Sequence, residues 1–189
     1  MGGLQVKVAD TTDSGTVIHI IAECQKVLLD QGIRQWAPQY PTEQDVRGGI
    51  EGGMTYLLLA DGQPVGTVAM EHQMPEQAKD LPWLTPWGKS MVVHRLAVLP
   101  QHRHKGYAKY LMRFVEQKAA GSGYLSLRLG AYSENPAAVS LYEGLGYRRI
   151  GQVVVPFREK PFVCMEKLLT SASSAPEGMK KGAGGDEGV

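Results

Sequence analysis

The segment Arg103-His104-Lys105-Gly106-Tyr107-Ala108 carries the most chemical information in the chain. It follows a β-rich run over 90–99 and opens a helical pattern over 106–119, so it sits where a strand hands over to a helix. A helix start presents unpaired backbone N–H groups and the positive end of the helix dipole, and together these bind anions. Gly106 lets the backbone approach a phosphate closely, while Arg103 and Lys105 add positive charge. Phosphate is the expected ligand, and a basic, solvated helix start without a ligand is the alternative. The leading glycine and closing Ser or Thr of a Walker loop are absent, and the Rossmann spacing is absent too, so nucleoside triphosphate hydrolysis is not expected.

In the preceding run His94 alternates with Leu96 and Val98, which predicts that the three share one face of a strand. An imidazole titrates near neutral pH, so His94 is a candidate general base, against the plainer reading of a histidine hydrogen-bonded in the core. His94, His102 and His104 have no spacing that suggests a metal site, and no metal is expected. Cys24 and Cys164 form no Cys-x-x-Cys pair and are too few for a disulfide framework. Cys164, within Phe162-Val163-Cys164-Met165, is expected to pack rather than react.

A second motif follows at Asn135-Pro136-Ala137-Ala138-Val139-Ser140-Leu141-Tyr142-Glu143-Gly144-Leu145-Gly146-Tyr147. Asn135 is a good helix N-cap, Pro136 a good first helical residue, and Gly146 can end the helix. With both motifs in order, the chain resembles the GNAT superfamily of N-acetyltransferases. That family's coenzyme A loop reads Arg or Gln, two residues, Gly, one residue, then Gly or Ala, which Arg103, Gly106 and Ala108 match. Its later Asn, Ala, Leu-Tyr, Gly-Tyr pattern is matched by Asn135, Ala138, Leu141-Tyr142 and Gly146-Tyr147. His94-Arg95-Leu96-Ala97-Val98 looks like its fourth strand. His104 departs, standing where many members have another glycine.

The resemblance implies transfer of an acetyl group from acetyl-CoA to a primary amine by direct attack in a ternary complex. It implies cofactor contacts from Leu96, Ala97 and Val98, from Arg103, His104, Lys105, Gly106, Tyr107 and Ala108, and from Asn135 and Tyr142. A splayed pair of parallel strands would leave backbone groups at Leu96 to Val98 free for a pantetheine arm, with the N–H of Ala97 or Val98 as oxyanion donor. Tyr142 stands at the family's acid position, where it would protonate the leaving thiolate; the alternative is a core tyrosine. An amine acceptor must lose a proton, for which His94 is the candidate, with a water or a carboxylate such as Glu71 as alternatives. A non-catalytic coenzyme A binding module is the rival reading.

These residues need a scaffold. Val17, Ile20, Ile21, Cys24 and Leu28 recur at helical spacing, with Thr12 and Asp13 as candidate caps, and Thr42-Glu43-Gln44-Asp45 opens a second helix to about Glu51. The runs 54–60 and 63–70 are β-rich and joined by Asp61-Gly62, a strong hairpin signal. Strand 90–99, helix 106–119 and strand 124–129 form a βαβ unit, which requires a parallel pair. A short helix over 136–143 and strands near 147–155 and 162–168 close the order. The expected fold is α+β: a GNAT-like mixed, mostly antiparallel central sheet of six to seven strands with helices on both faces. Trp83 and Trp87, in a proline-rich loop over 74–88, either roof the core or wall a pocket. Together with Trp36, Tyr40 and Tyr132 they are the candidate acceptor-binding aromatics, and they favour a small amine over a protein tail.

The 189 residues, 43% hydrophobic and 21% charged, suit one domain, placed at 1–169. Residues 170–189, rich in Gly, Ser and Ala, are expected to be a disordered tail. A net charge of +1 excludes a whole-chain field for nucleic acid or anionic membrane. No apolar run reaches a membrane-spanning length, and Met1 to Val6 lacks the regions of a signal peptide, so a cytoplasmic location is expected. Homodimerisation stays open.

Overall fold

A computed structural model describes residues 3–36 and 40–170, so the predicted tail, apart from Thr170, lies outside the described residues. The elements are β1 (Leu4–Val8), α1 (Ser14–Asp30), α2 (Glu43–Glu51), β2 (Thr55–Ala60), β3 (Gln63–Glu71), β4 (Ser90–Val98), α3 (Tyr107–Gly121), β5 (Ser126–Tyr132), α4 (Pro136–Gly144), β6 (Arg148–Val153) and β7 (Phe162–Leu168). The strands form one seven-stranded sheet in the order β1-β2-β3-β4-β5-β7-β6. Every neighbouring pair is antiparallel except β4 and β5, which run parallel. This is the expected mixed sheet.

Local chemistry explains several element ends. Asp61 and Gly62, both at positive φ, turn β2 into β3 as a two-residue hairpin requires. Thr42 and Asp45 close a reciprocal capping box at the start of α2. At α1 the cap lies earlier than the residues predict. Asp10 and Asp13 form a capping box around a short 3-10 turn that runs into the helix, so Asp13 is already helical.

Two apolar layers sandwich the sheet. Leu111, Met112, Val115 and Ala119 of α3, with Val139 and Tyr142 of α4, pack on one face against Met91, Val93, Leu127, Leu129 and Met165. Val17, Ile20, Ile21, Cys24 and Leu28 of α1, with Val46 and Ile50 of α2, pack on the other against Leu57, Ala97 and Leu99. In β4 the parity of these contacts slips. Met91 and Val93 face α3, but so do Leu96 and Val98, while Ala97 and Leu99 face α1. The cause is a bulge: between Thr67↔Ala97 and Ala69↔His94 the strand β4 holds one residue more than β3, and Arg95 takes φ 51°. His94 therefore does not share a face with Leu96 and Val98, contrary to the simple alternation. The extra residue turns it to the other side.

The parallel pair has a second consequence for the site. β4 and β5 pair only at Ser90↔Ser126, Met91↔Leu127 and Val92↔Arg128. Beyond Val92 the two strands part, and 93–98 of β4 face β5 without pairing to it. The root of this split is held by a buried ion pair between Arg128 of β5 and Glu166 of β7, both fully buried, with Nε to Oε1 at 3.1 Å. Thr85 and Ser126 hydroxyls and the Leu84 N–H also donate to Glu166. Arg128 donates to the Thr85 carbonyl, and its guanidinium lies 4.5 Å from the Trp83 ring and 4.7 Å from the Trp87 ring.

Candidate active site

The split opens into a cavity of about 930 Å³. Trp36 and Tyr40 come from the α1–α2 connection, Glu71 from the end of β3, and His94, Arg95 and Leu96 from the bulge. Tyr142 comes from α4, and Phe157, Arg158 and Phe162 from the β6–β7 connection and β7. The loop Arg103 to Ala108 is not part of this wall. The two parts are joined by the unpaired stretch of β4.

His94 has one ring nitrogen engaged. Nε2 lies 2.8 Å from the Gln73 carbonyl oxygen, which can only accept, so Nε2 carries the proton and Nδ1 is the basic atom. Burial pushes the imidazole pKa below its ordinary value and Arg95 adds to this, outweighing Glu71 and the Gln73 contact. The ring is thus neutral and able to accept a proton at neutral pH. Glu71, the alternative, is ion-paired with Arg95, which also reaches the Tyr40 hydroxyl at 3.4 Å. Gly49 makes room for this group. A Cβ there would stand 2.8 Å from Arg95 Nη2 and from Thr55 Oγ1.

Tyr142 is buried, its ring edge-on to Tyr147 at 5.9 Å, and burial raises its pKa. Its phenol keeps its proton throughout the working range. Asn135 does cap α4, accepting from the Ala138 N–H at 3.1 Å, and its Nδ2 donates to Gln35 Oε1 at 2.7 Å. Both ends of that side chain are engaged within the protein, so Asn135 anchors the helix that carries Tyr142.

In the loop before α3, Gly106 takes φ 80° and starts the helix without any side-chain cap, and the first helical N–H bond is Tyr110 to Gly106 at 3.0 Å. The N–H groups of Tyr107, Ala108 and Lys109 precede that bond and have no acceptor within the helix. His104 also sits in the left-handed region, φ 62°, the backbone state that glycine adopts freely, which explains why glycine suits this position. Tyr107 stacks on His102 at 6.4 Å. Cys24, read only as part of a helical stripe, has a further contact: its Sγ donates to the Val98 carbonyl at 3.1 Å. Burial raises the thiol pKa against the opposing effect of the neighbouring Arg103. Burial likewise pushes the Cys164 thiol up to about 11, in keeping with packing rather than reaction. Among the described residues no group of three or more His, Cys, Asp or Glu could hold a metal ion.

Of the predicted acceptor aromatics, Trp36 and Tyr40 meet at the cavity with His94, Leu96 and Tyr142. Trp83 and Trp87 do not. Their rings clamp Arg128, and their indole N–H groups donate to the Ala78 and Lys79 carbonyls, so they belong to the support under the split. Tyr132 is also displaced from the wall, buried behind it against Phe162 with ring centroids 5.2 Å apart. Ala97 faces α1, and Val98 spends its carbonyl on Cys24. Arg95, Gln35 and Arg158 were not expected. An arginine inside the run Val92 to Val98, where the apolar parity changes, is the signal that could have found the bulge.

Residues 21–147 match the model of the Acetyltransferase (GNAT) family. The mouse protein N-acetyltransferase 8F1 is 33% identical over 128 residues, which is 67% of this chain and 54% of the mouse protein. The chain spans about half the length of the curated relatives it matches. Among solved structures, a GNAT-family acetyltransferase of Streptococcus agalactiae superimposes with a TM-score of 0.76 at 20% identity, covering 88% of this chain and 96% of that one. An acetyltransferase of Salmonella typhimurium, solved with its cofactor acetyl-CoA, gives 0.68 at 18% identity over 93% and 99%.

Proposed function

The chain belongs to the acetyltransferase (GNAT) family, and on that premise we propose that it transfers an acetyl group from acetyl-CoA to the primary amine of a small-molecule acceptor. The observation that carries this reading is the parting of β4 and β5 after Val92 between a free helix N-terminus and a cavity holding His94 and Tyr142. The residues fit acetyl-CoA. The N–H groups at the start of α3, with Arg103 and Lys105, suit its phosphates, and the unpaired edge of β4 suits the amide-bearing arm. Bound there, acetyl-CoA supplies an activated acyl group.

The protein's own residues supply the rest. Nδ1 of His94 accepts the proton that the amine must lose, directly or through one water. The backbone N–H groups exposed by the bulge and the split are preorganised donors for charge that develops on the acyl oxygen. The Tyr142 hydroxyl, held protonated by burial, donates toward the departing sulfur. Trp36 and Tyr40 exclude water and give the acceptor an apolar wall.

Thiol release from acetyl-CoA, followed over a panel of amines, tests the reading. Amine-dependent release with a matching N-acetyl product supports it. Tight coenzyme A binding with no release for any amine would favour a binding module instead. Among the described residues no helix is long and apolar enough to cross a membrane.

A further inference from the structure

Arg158 lines the acceptor cavity but takes no part in the acyl transfer derived above. It lies in the β6–β7 connection beside Phe157, which is 79% exposed with φ 63°. Its Nε donates to the Gln35 carbonyl at 3.0 Å and its Nη1 to the Phe157 carbonyl at 3.2 Å. Two neutral carbonyls fix the guanidinium in place without neutralising it. Among the described residues it has no ion-pair partner, whereas Arg95 in the same wall is paired with Glu71. Its Nη2 has no hydrogen bond to the described protein. Partial burial works against its charge, opposed by the nearby Tyr132 and Tyr40. A guanidinium anchored and uncompensated in a cavity wall that also holds Trp36 and Phe162 is suited to a ligand that brings both apolar surface and negative charge.

We propose that the acceptor amine carries an oxyanion, a carboxylate or a phosphate, and that Arg158 binds it. This rests on the acetyl-transfer reading and narrows it to a substrate class. The planar fork of arginine matches either oxyanion with two parallel hydrogen bonds, and the rigid anchoring on Gln35 and Phe157 reduces what is lost on binding. Arg158 is thus a specificity residue that orients the acceptor.

The test compares the free amino acids with their carboxamides, which keep the amine and side chain and lose the charge, and adds the aminophosphonate analogue of the best pair. Thiol release gives kcat/KM for each with wild type, Arg158→Gln and Arg158→Lys. The acid should exceed its amide by roughly ten- to a hundred-fold, as a charge-assisted hydrogen-bond pair supplies. That ratio should fall toward one in Arg158→Gln and partly recover in Arg158→Lys. A phosphonate turned over faster than the acid assigns the site to phosphate, and the reverse assigns it to carboxylate. Amides used as well as acids, a ratio unmoved in Arg158→Gln, or transfer only to uncharged amines would each overturn the proposal while leaving acetyl transfer intact. If no amine of any kind is acetylated, the transfer reading fails, and calorimetry with amino acids in the presence of coenzyme A still decides: binding lost in Arg158→Gln sustains the oxyanion site, and no binding to wild type removes it. Thermal melting confirms that each variant is folded.

Discussion

Replacing Glu166 by Ala should be among the most damaging single changes in this chain. Four donors converge on its carboxylate: the Ser126 and Thr85 hydroxyls, the Leu84 N–H and Arg128 Nε. Arg128 and Glu166 are both fully buried. Removing the carboxylate strands an arginine charge in the interior, which typically costs roughly 3–5 kcal/mol. For a chain of this size that is a loss of roughly 6–20 °C in Tm. Urea unfolding followed by tryptophan fluorescence reads the event locally, because Trp83 and Trp87 face the Arg128 guanidinium. The double variant Arg128→Met with Glu166→Leu removes both charges and should recover most of the loss. Glu166→Gln adds a pH test. Burial acts to raise the Glu166 pKa, but the hydrogen bonds from Ser126, Thr85, Leu84 and Arg128 override it and leave the pKa below its ordinary value. A carboxylate depressed in the folded state adds stability above its unfolded pKa of about 4.3 and loses it as the pH falls. The wild type should therefore shed stability below about pH 4.3 along a slope that Glu166→Gln lacks. If Glu166→Ala cost under about 1 kcal/mol, or the double variant were no better than the single one, the pair would not be holding the root of the split.

Acetyl-CoA at a hundred times its Kd should stabilise the wild type by about 2.7 kcal/mol, and Gly106→Val should abolish that shift. An added Cβ at Gly106 meets nothing within 4 Å, so the effect would come from a β-branched residue being unable to hold φ 80°, and an undiminished shift would refute the loop assignment. Tyr142→Phe should lower kcat by roughly 10²- to 10⁴-fold with little change in coenzyme A affinity; an unaltered kcat would reduce Tyr142 to a core residue. For wild type, kcat/KM should rise with pH through an apparent pKa below the ordinary histidine value, since burial depresses His94, and His94→Gln should remove that limb. A limb kept at full rate would hand the proton to water or to a carboxylate such as Glu71.

The local features of the fold were legible because short-range chemistry sets them. The Asp61-Gly62 hairpin, the Val17 to Leu28 stripe of α1 and the Asn135-Pro136 start of α4 each follow from a few adjacent residues. Period-two alternation puts His94 on the wrong face because it assumes an unbroken strand, and one inserted residue at Arg95 reverses every later position. Its trace is the shift of apolar positions from 91 and 93 to 96 and 98. The local sequence does not show what Trp83 and Trp87 pack on, because their partner Arg128 lies some forty residues on in the chain and Glu166 further still. A charged residue in the midst of Ser126-Leu127-Arg128-Leu129 and another in Cys164-Met165-Glu166 were the available hints of a buried pair across neighbouring strands. Arg158 had no such hint, since its significance lies in what does not neutralise it.

The divergence of β4 from β5 gives this sheet a pair of edges in its interior, besides the ordinary ones at β1 and β6. An exposed edge invites another chain to add itself, which is why proteins hide or charge such edges. Here the two inner edges are flanked by helices and closed at one end by three residue pairs. The sheet is in effect two smaller sheets, β1–β4 and β5–β7, joined at a short seam. A ligand bridging them would act as a cross-tie. Slowed amide hydrogen exchange along 93–98 would then accompany binding, and the seam itself would be relieved of holding the halves together alone.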